Sequence, residues 1–161
     1  MNEFVAEFDD LPAAAAEREL LAVCRAPRWA RAVAAGRPYG TAGALQVAAA
    51  AALTDADLDE AMAGHPRIGD RAAGGRSRRE QSAVATAEAD VLTALAEGNR
   101  EYEERFGHVY LVCASGRSAE DLLATLRARL HHDPATERAV ALRELAAINR
   151  LRIAQLVEAV R

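Results

Sequence analysis

Thr41-Ala42-Gly43-Ala44-Leu45-Gln46-Val47-Ala48-Ala49-Ala50-Ala51-Ala52 is the stretch that decides the fold. Alanine is the best intrinsic helix former, and a threonine directly ahead of such a run is a ready N-cap. The composition extends this reading to the whole chain. Of 161 residues 51% are apolar, much of that alanine, and only 4% are aromatic. Strand formers are sparse, so the expected fold is all-α. The length suits a single compact multi-helix domain, 1–161, with a core of its own.

Outward from this helix, punctuation residues divide the chain. Toward the N-terminus, Arg37-Pro38-Tyr39-Gly40 reads as a turn. A short segment around Trp29 and Val33 lies between Pro27 and Gly36, and a first helix is expected from about Pro12 to Arg25. Toward the C-terminus, Thr54 with Asp57 has capping-box spacing and opens a helix ending at Gly64. A loop follows, then a long helical stretch from Ser77 to Phe106, interrupted near Gly98-Asn99 and stopped by Gly107. Val109-Tyr110-Leu111-Val112-Cys113 is extended or a buried helical turn, and periodicity does not decide between them. Ser118 with Asp121 caps a helix through Leu130, and a last helix is expected from about Thr136 nearly to the end.

The net charge of −4 argues against nucleic acid or an anionic membrane as the main partner. All twenty basic residues are arginine. With no lysine, a Schiff base is excluded and pyridoxal phosphate chemistry with it. Cys24 and Cys113 have no paired spacing, which suits a reducing cytoplasm and suggests neither a disulfide framework nor a zinc site. The first residues lack the basic and apolar regions of a signal peptide. No stretch reaches the roughly eighteen apolar residues of a membrane span. The expectation is a soluble cytoplasmic protein, with a homodimer left open.

Chemistry concentrates at His65-Pro66-Arg67-Ile68-Gly69-Asp70 and Ser77-Arg78-Arg79-Glu80-Gln81. A histidine titrates near neutrality, so an imidazole beside a fixed carboxylate moves protons at pH 7. Flanking glycines imply an exposed loop. Ser77 and Glu80 also fit a capping box without any function. Gln81 has no such role, and Arg78 and Arg79 are unusual in a first turn, where cations meet the positive end of the helix dipole. An anion resting on that turn would account for them. Arg152 stands in an apolar stripe with Leu145, Ile148 and Leu156 at −7, −4 and +4. It is either snorkelling to water or aimed inward at a carboxylate or urea-like group. His108, His131 and His132 make no metal-ligand pattern with His65. Neither a phosphate loop nor a nucleophile elbow is present, which leaves acid-base chemistry without a cofactor.

At these residues the chain resembles the 2-oxo-4-hydroxy-4-carboxy-5-ureidoimidazoline (OHCU) decarboxylase family of urate breakdown. The His65-Pro66 loop and the Ser77-x-x-Glu80-Gln81 motif carry the likeness, with Asn99 to Tyr102, Arg105-Phe106-Gly107 and Cys113-Ala114. Leu151-Arg152-Ile153 matches its terminal motif, and Arg28-Trp29-Ala30 and Arg37-Pro38-Tyr39 echo its N-terminal half. His108 departs from the family's usual apolar residue, and the 70–76 loop is short. The resemblance implies an all-helical fold, no cofactor and no metal, and conversion of OHCU to S-allantoin and carbon dioxide. It makes His65 the catalytic histidine, Glu80 its acidic partner and Arg152 a substrate-holding residue. Pro66, Ser77, Gln81 and the backbone of Leu111, Val112, Cys113 and Ala114 would line the pocket. Two other readings stand beside it: a non-catalytic helical interaction module, and an enzyme of this fold acting on another ureide or carboxylated heterocycle.

Overall fold

The computed structural model describes residues 2–68, 80 and 88–159. Among these residues there are α-helices and no strand. They form two compact units, Met1–Ala61 with Ala146–Arg161, and Met62–Leu145.

The first unit opens with α1, Glu3–Asp10, which the sequence reading did not anticipate. The asparagine side chain of Asn2 accepts from the Val5 N–H, and Val5 and Phe8 fall one turn apart on the buried side. Next come α2 (Ala13–Val23), α3 (Pro27–Ala35) and α4 (Ala42–Ala52). Pro12 is the cap of α2 rather than its first helical residue, and Cys24 already has extended backbone, so α2 is shorter than expected. Pro27 sits in the first turn of α3, where its missing N–H leaves no bond unmade. The Thr41 hydroxyl caps α4 by accepting from Ala44 N at 3.1 Å. Trp29 is fully buried and its indole N–H donates to the Ala49 carbonyl at 2.8 Å. The Arg37-Pro38-Tyr39-Gly40 turn is fastened at both ends. Arg37 donates to the Phe8 and Leu11 carbonyls, and the Asp9 carboxylate accepts from the Tyr39 and Gly40 N–H groups.

The Thr54–Asp57 capping box forms on a 3₁₀ turn that leads into α5, Leu58–Ala63. In the second unit α6 spans Ala89–Phe106, with Glu88 as an extended cap residue. The expected break at Gly98-Asn99 is absent, and α6 runs through both residues. Gly98 serves packing: a Cβ there would lie 2.6 Å from Leu126 Cδ2, so any larger residue would have to push that buried side chain aside. Asn99 is occupied elsewhere, its Nδ2 donating to the Ile68 carbonyl at 2.9 Å. Gly107 ends α6 with φ of 78°, the left-handed stop that its position predicts. Residues 109–114 are neither helix nor strand. After them come α7 (Ala119–Arg129), capped by the Ser118 hydroxyl, and α8 (Pro134–Ala159). The last helix begins two residues earlier than expected because Asp133 Oδ1 accepts from Thr136 N at 2.7 Å.

Leu95, Tyr102, Tyr110, Val112, Leu122 and Leu126 centre the core of the second unit, and Ile68 joins them. In the first unit the later turns of α8 are tied down by Gln46 on the Arg150 carbonyl and Asn2 on the Val157 carbonyl. No helix among the described residues is long and apolar enough to cross a membrane.

Candidate functional site

The turn that ends α5 delivers His65, whose N–H donates to the Met62 carbonyl at 3.0 Å. His65 and Pro66 are half-buried, Arg67 is exposed, and Ile68 is 6% exposed. The described start of this loop is therefore not wholly exposed, since Ile68 is anchored in the core. Two contacts with α6 fix Arg67 and Ile68: Arg67 forks onto the Glu103 carboxylate at 2.8 and 2.9 Å, and Asn99 holds the Ile68 carbonyl. Asn99 is the first residue of the Asn-x-x-Tyr pattern, and this bond gives that residue type a physical reason. His65 thus stands in the chain between a helix end and a clamped tripeptide, the kind of support a positioned proton carrier needs. A groove of about 650 Å³ runs beside the clamp, lined by Arg67, Ile68, Asn99, Arg100 and Glu103 among others. His65, Glu80 and residues 111–114 do not line it, so the volume does not mark the expected chemistry.

Glu80 is helical and half-buried in the same unit. Its carboxylate and the 111–114 segment are within electrostatic reach. Burial raises the Cys113 thiol above its ordinary value, and the negative charges of Glu144 and Glu80 push it the same way. Leu111, Val112 and Ala114 are buried and Cys113 is half-buried. Ser77 and Gln81 lie outside the described residues.

Arg152 belongs to the first unit and is 8% exposed. Its Nη1 donates to the Val23 carbonyl at 2.9 Å. The guanidinium is buried rather than carried to water at the rim of the stripe, which removes the snorkelling reading. Beside it, burial drives the Cys24 thiol up to about 11, while the Asn149 amide and the Arg152 charge pull the other way. Cys24 and Cys113 are both free. Among the described residues no cluster of three or more histidine, cysteine or carboxylate side chains could hold a metal ion.

Other motif residues turn out to be structural. Arg28 forks onto Asp57 at 2.8 and 2.6 Å. Burial works against the Asp57 carboxylate, but the Arg28 and Thr54 bonds outweigh it and hold its pKa below the ordinary value. His108 packs against the Tyr102 and Phe106 rings at 5.5 and 6.2 Å, taking up the space of an apolar residue.

The sequence reading missed a buried ion pair, Arg129 with Glu137. Arg129 is 3% exposed, Glu137 is fully buried, and the pair closes at 2.5 Å. The signal was present in the form that exposed Arg152. Arg129 follows the buried Leu122 and Leu126 at +7 and +3, and Glu137 precedes the buried Ala141 and Leu145 at −4 and −8.

Comparison with known proteins gives consistent matches. A family model described as OHCU decarboxylase matches residues 9–154. A 2-oxo-4-hydroxy-4-carboxy-5-ureidoimidazoline decarboxylase of Amia calva is 28% identical over 83% of this chain and 82% of its own length. The uric acid degradation bifunctional protein TTL of Arabidopsis thaliana is 38% identical over 62% of this chain, which spans a third of that protein. A crystal structure of OHCU decarboxylase in the presence of (S)-allantoin is 29% identical and superposes with a TM-score of 0.78. It covers 87% of this chain and 97% of the other. An (S)-allantoin synthase structure, 18% identical with a TM-score of 0.71, covers 94% of this chain and 53% of its own and shares the fold.

Proposed function

The chain belongs to the OHCU decarboxylase family, and from that premise we propose that it converts OHCU to S-allantoin and carbon dioxide, in urate breakdown. The family match over residues 9–154 carries this reading and supports treating residues 1–161 as one catalytic domain. A cytoplasmic location fits the two free thiols.

The chemistry needs no external electron sink. When the C4–carboxylate bond breaks, its electron pair forms a C4=C5 bond, and the C5=N pair moves onto nitrogen, which takes a proton. The 4-hydroxyl then loses its proton, C4 becomes a carbonyl, and C5 receives a proton on one face. Three tasks fall to the protein: holding the carboxylate out of the ring plane, accepting the hydroxyl proton, and delivering a proton to C5. His65 is the proton carrier, since its backbone N–H and the Ile68 carbonyl after it are both held, and an imidazole is the side chain suited to proton transfer near neutral pH. Glu80 orients the substrate and the imidazole. Arg152 holds an anionic or carbonyl oxygen, for which its planar fork is suited. Pro66, Ser77, Gln81 and the backbone of residues 111–114 complete the lining. OHCU decays on its own to racemic allantoin, so the enzyme adds rate and handedness, and one positioned donor supplies both.

The test is to follow the absorbance of freshly generated OHCU with wild type and with His65→Asn. The reading predicts accelerated decay with wild type and a rate lower by roughly 10²–10⁴ in a variant that stays folded. No acceleration by wild type would refute the activity, and a fully active variant would remove His65 from it.

A further inference from the structure

A buried segment outside helix and strand must find partners for its backbone groups, and residues 109–114 have no strand beside them among the described residues. Charged side chains take that place. Arg129 Nη1 donates to the Leu111 carbonyl at 2.7 Å, and Glu144 Oε1 accepts from Cys113 N at 3.4 Å. The Tyr110 hydroxyl donates to the Leu122 carbonyl at 3.0 Å, and the Arg129 guanidinium lies 4.9 Å from the Tyr110 ring centre. Arg129 is itself held, its Nε reaching both Glu137 oxygens at 2.5 and 3.2 Å.

Two physical points bear on what this arrangement is for. Burying an ion pair is a poor way to gain stability, because well-packed apolar side chains serve as well or better. A neutral amide could also have satisfied one carbonyl. The pair does supply direction: a planar guanidinium locked by a carboxylate offers its remaining N–H at one fixed angle. The tied groups, the Leu111 carbonyl and the Cys113 N–H, flank Val112 on either side in the chain. The Val112 N–H and carbonyl lie between them, and among the described residues neither has a hydrogen-bond partner. One donor and one acceptor side by side match the edge of a lactam or ureide.

We propose that Arg129, locked by Glu137, is a positioning residue that sets the 111–114 backbone so that Val112 meets the amide edge of the substrate. The substrate class rests on the decarboxylase reading above, whereas the fixing of the segment does not. Arg129 acts through Leu111 and does not touch the reacting atoms.

The double variant Arg129→Met/Glu137→Leu tests this, since it replaces the pair by apolar groups of similar bulk and leaves no lone buried charge. Three readings are taken on the full chain: melting temperature, amide hydrogen exchange of residues 111–114, and KM and kcat with OHCU. The expected result is a melting temperature at or above wild type, with exchange at 111–114 faster by about tenfold or more and the helices unchanged. KM should rise by about tenfold while kcat moves by less than about threefold, and Arg129→Lys, which keeps one donor, should recover part of the rise. A purely structural pair would lower kcat with the folded fraction and leave KM alone, which would overturn the proposal. Unchanged exchange at 111–114 would overturn it too, whether or not wild type turns over OHCU. If the double variant does not fold, Arg129→Lys carries the test alone, and wild-type exchange and KM in it would refute the claim. A wild type inactive on OHCU with the exchange result as expected would instead refute the substrate and keep the positioning.

Discussion

Arg28 in the first unit and Arg129 in the second are built alike: each grips one carboxylate and one backbone carbonyl. Arg28 holds Asp57 and the Ala52 carbonyl, and Arg129 holds Glu137 and the Leu111 carbonyl. Their surroundings differ. The Arg28 side chain is 47% exposed, while Arg129 and Glu137 are 4% and 0% exposed. A guanidinium at the surface that loses its partner can turn to water, and one in the core cannot. The exposed clamp ties a helix end to a turn. The buried clamp holds residues 111–114, a non-helical segment that the family resemblance assigns to substrate, so similar parts serve stability in one place and geometry in the other.

The contrast is broken most forcefully by removing a single partner. Glu137→Leu strands the Arg129 charge in the core and should cost about 3–5 kcal/mol in urea unfolding. Asp57→Asn should cost clearly less, because Arg28 keeps its access to solvent. Equal losses would mean that the burial difference does not matter.

A third arginine, buried like Arg129, sharpens the comparison. Arg152 is assigned to substrate, so its replacement should act on turnover more than on folding. Arg152→Lys keeps the charge but loses the fork, and kcat/KM should fall by about 2–3 kcal/mol, roughly 30- to 150-fold. A melting temperature that drops while kcat/KM stays put would make Arg152 a second structural clamp.

The smallest effect is the pH dependence of the exposed clamp. Asp57 has a folded pKa below its unfolded value, so its contribution is present above the ordinary carboxylate range, near pH 4. It is lost as the pH falls from there through the depressed folded value. In Asp57→Asn the acid side of the stability curve should be flatter than in wild type, with no difference at neutral pH in its slope. An unchanged acid limb would contradict the origin of the shift.

How much of this was legible beforehand follows from what each residue answers to. Local rules found the Thr41 and Ser118 caps, the Thr54–Asp57 box and the Gly107 stop, because a cap needs only its own turn. They missed α1, whose cap is a single asparagine ahead of a short helix. They misplaced the break at Gly98, where the glycine answers to Leu126, 28 positions away. The stripe argument singled out Arg152 and left open whether it was buried or snorkelling, yet the same argument was not turned on Arg129 and Glu137. Whether residues 109–113 were extended or helical could not be read from periodicity. The deciding partners, Arg129 and Glu144, lie on helices further along the chain. The His65 loop and Glu80 stood out by composition alone, but the clamp of Asn99 on Ile68 did not.

The central claim is that this fold delivers one proton to one face of C5, and the circular dichroism of the product tests it most directly. With wild-type protein added to freshly generated OHCU, the account predicts the signal of S-allantoin, growing in step with the loss of substrate absorbance. Racemic allantoin, formed no faster than without protein, would contradict it.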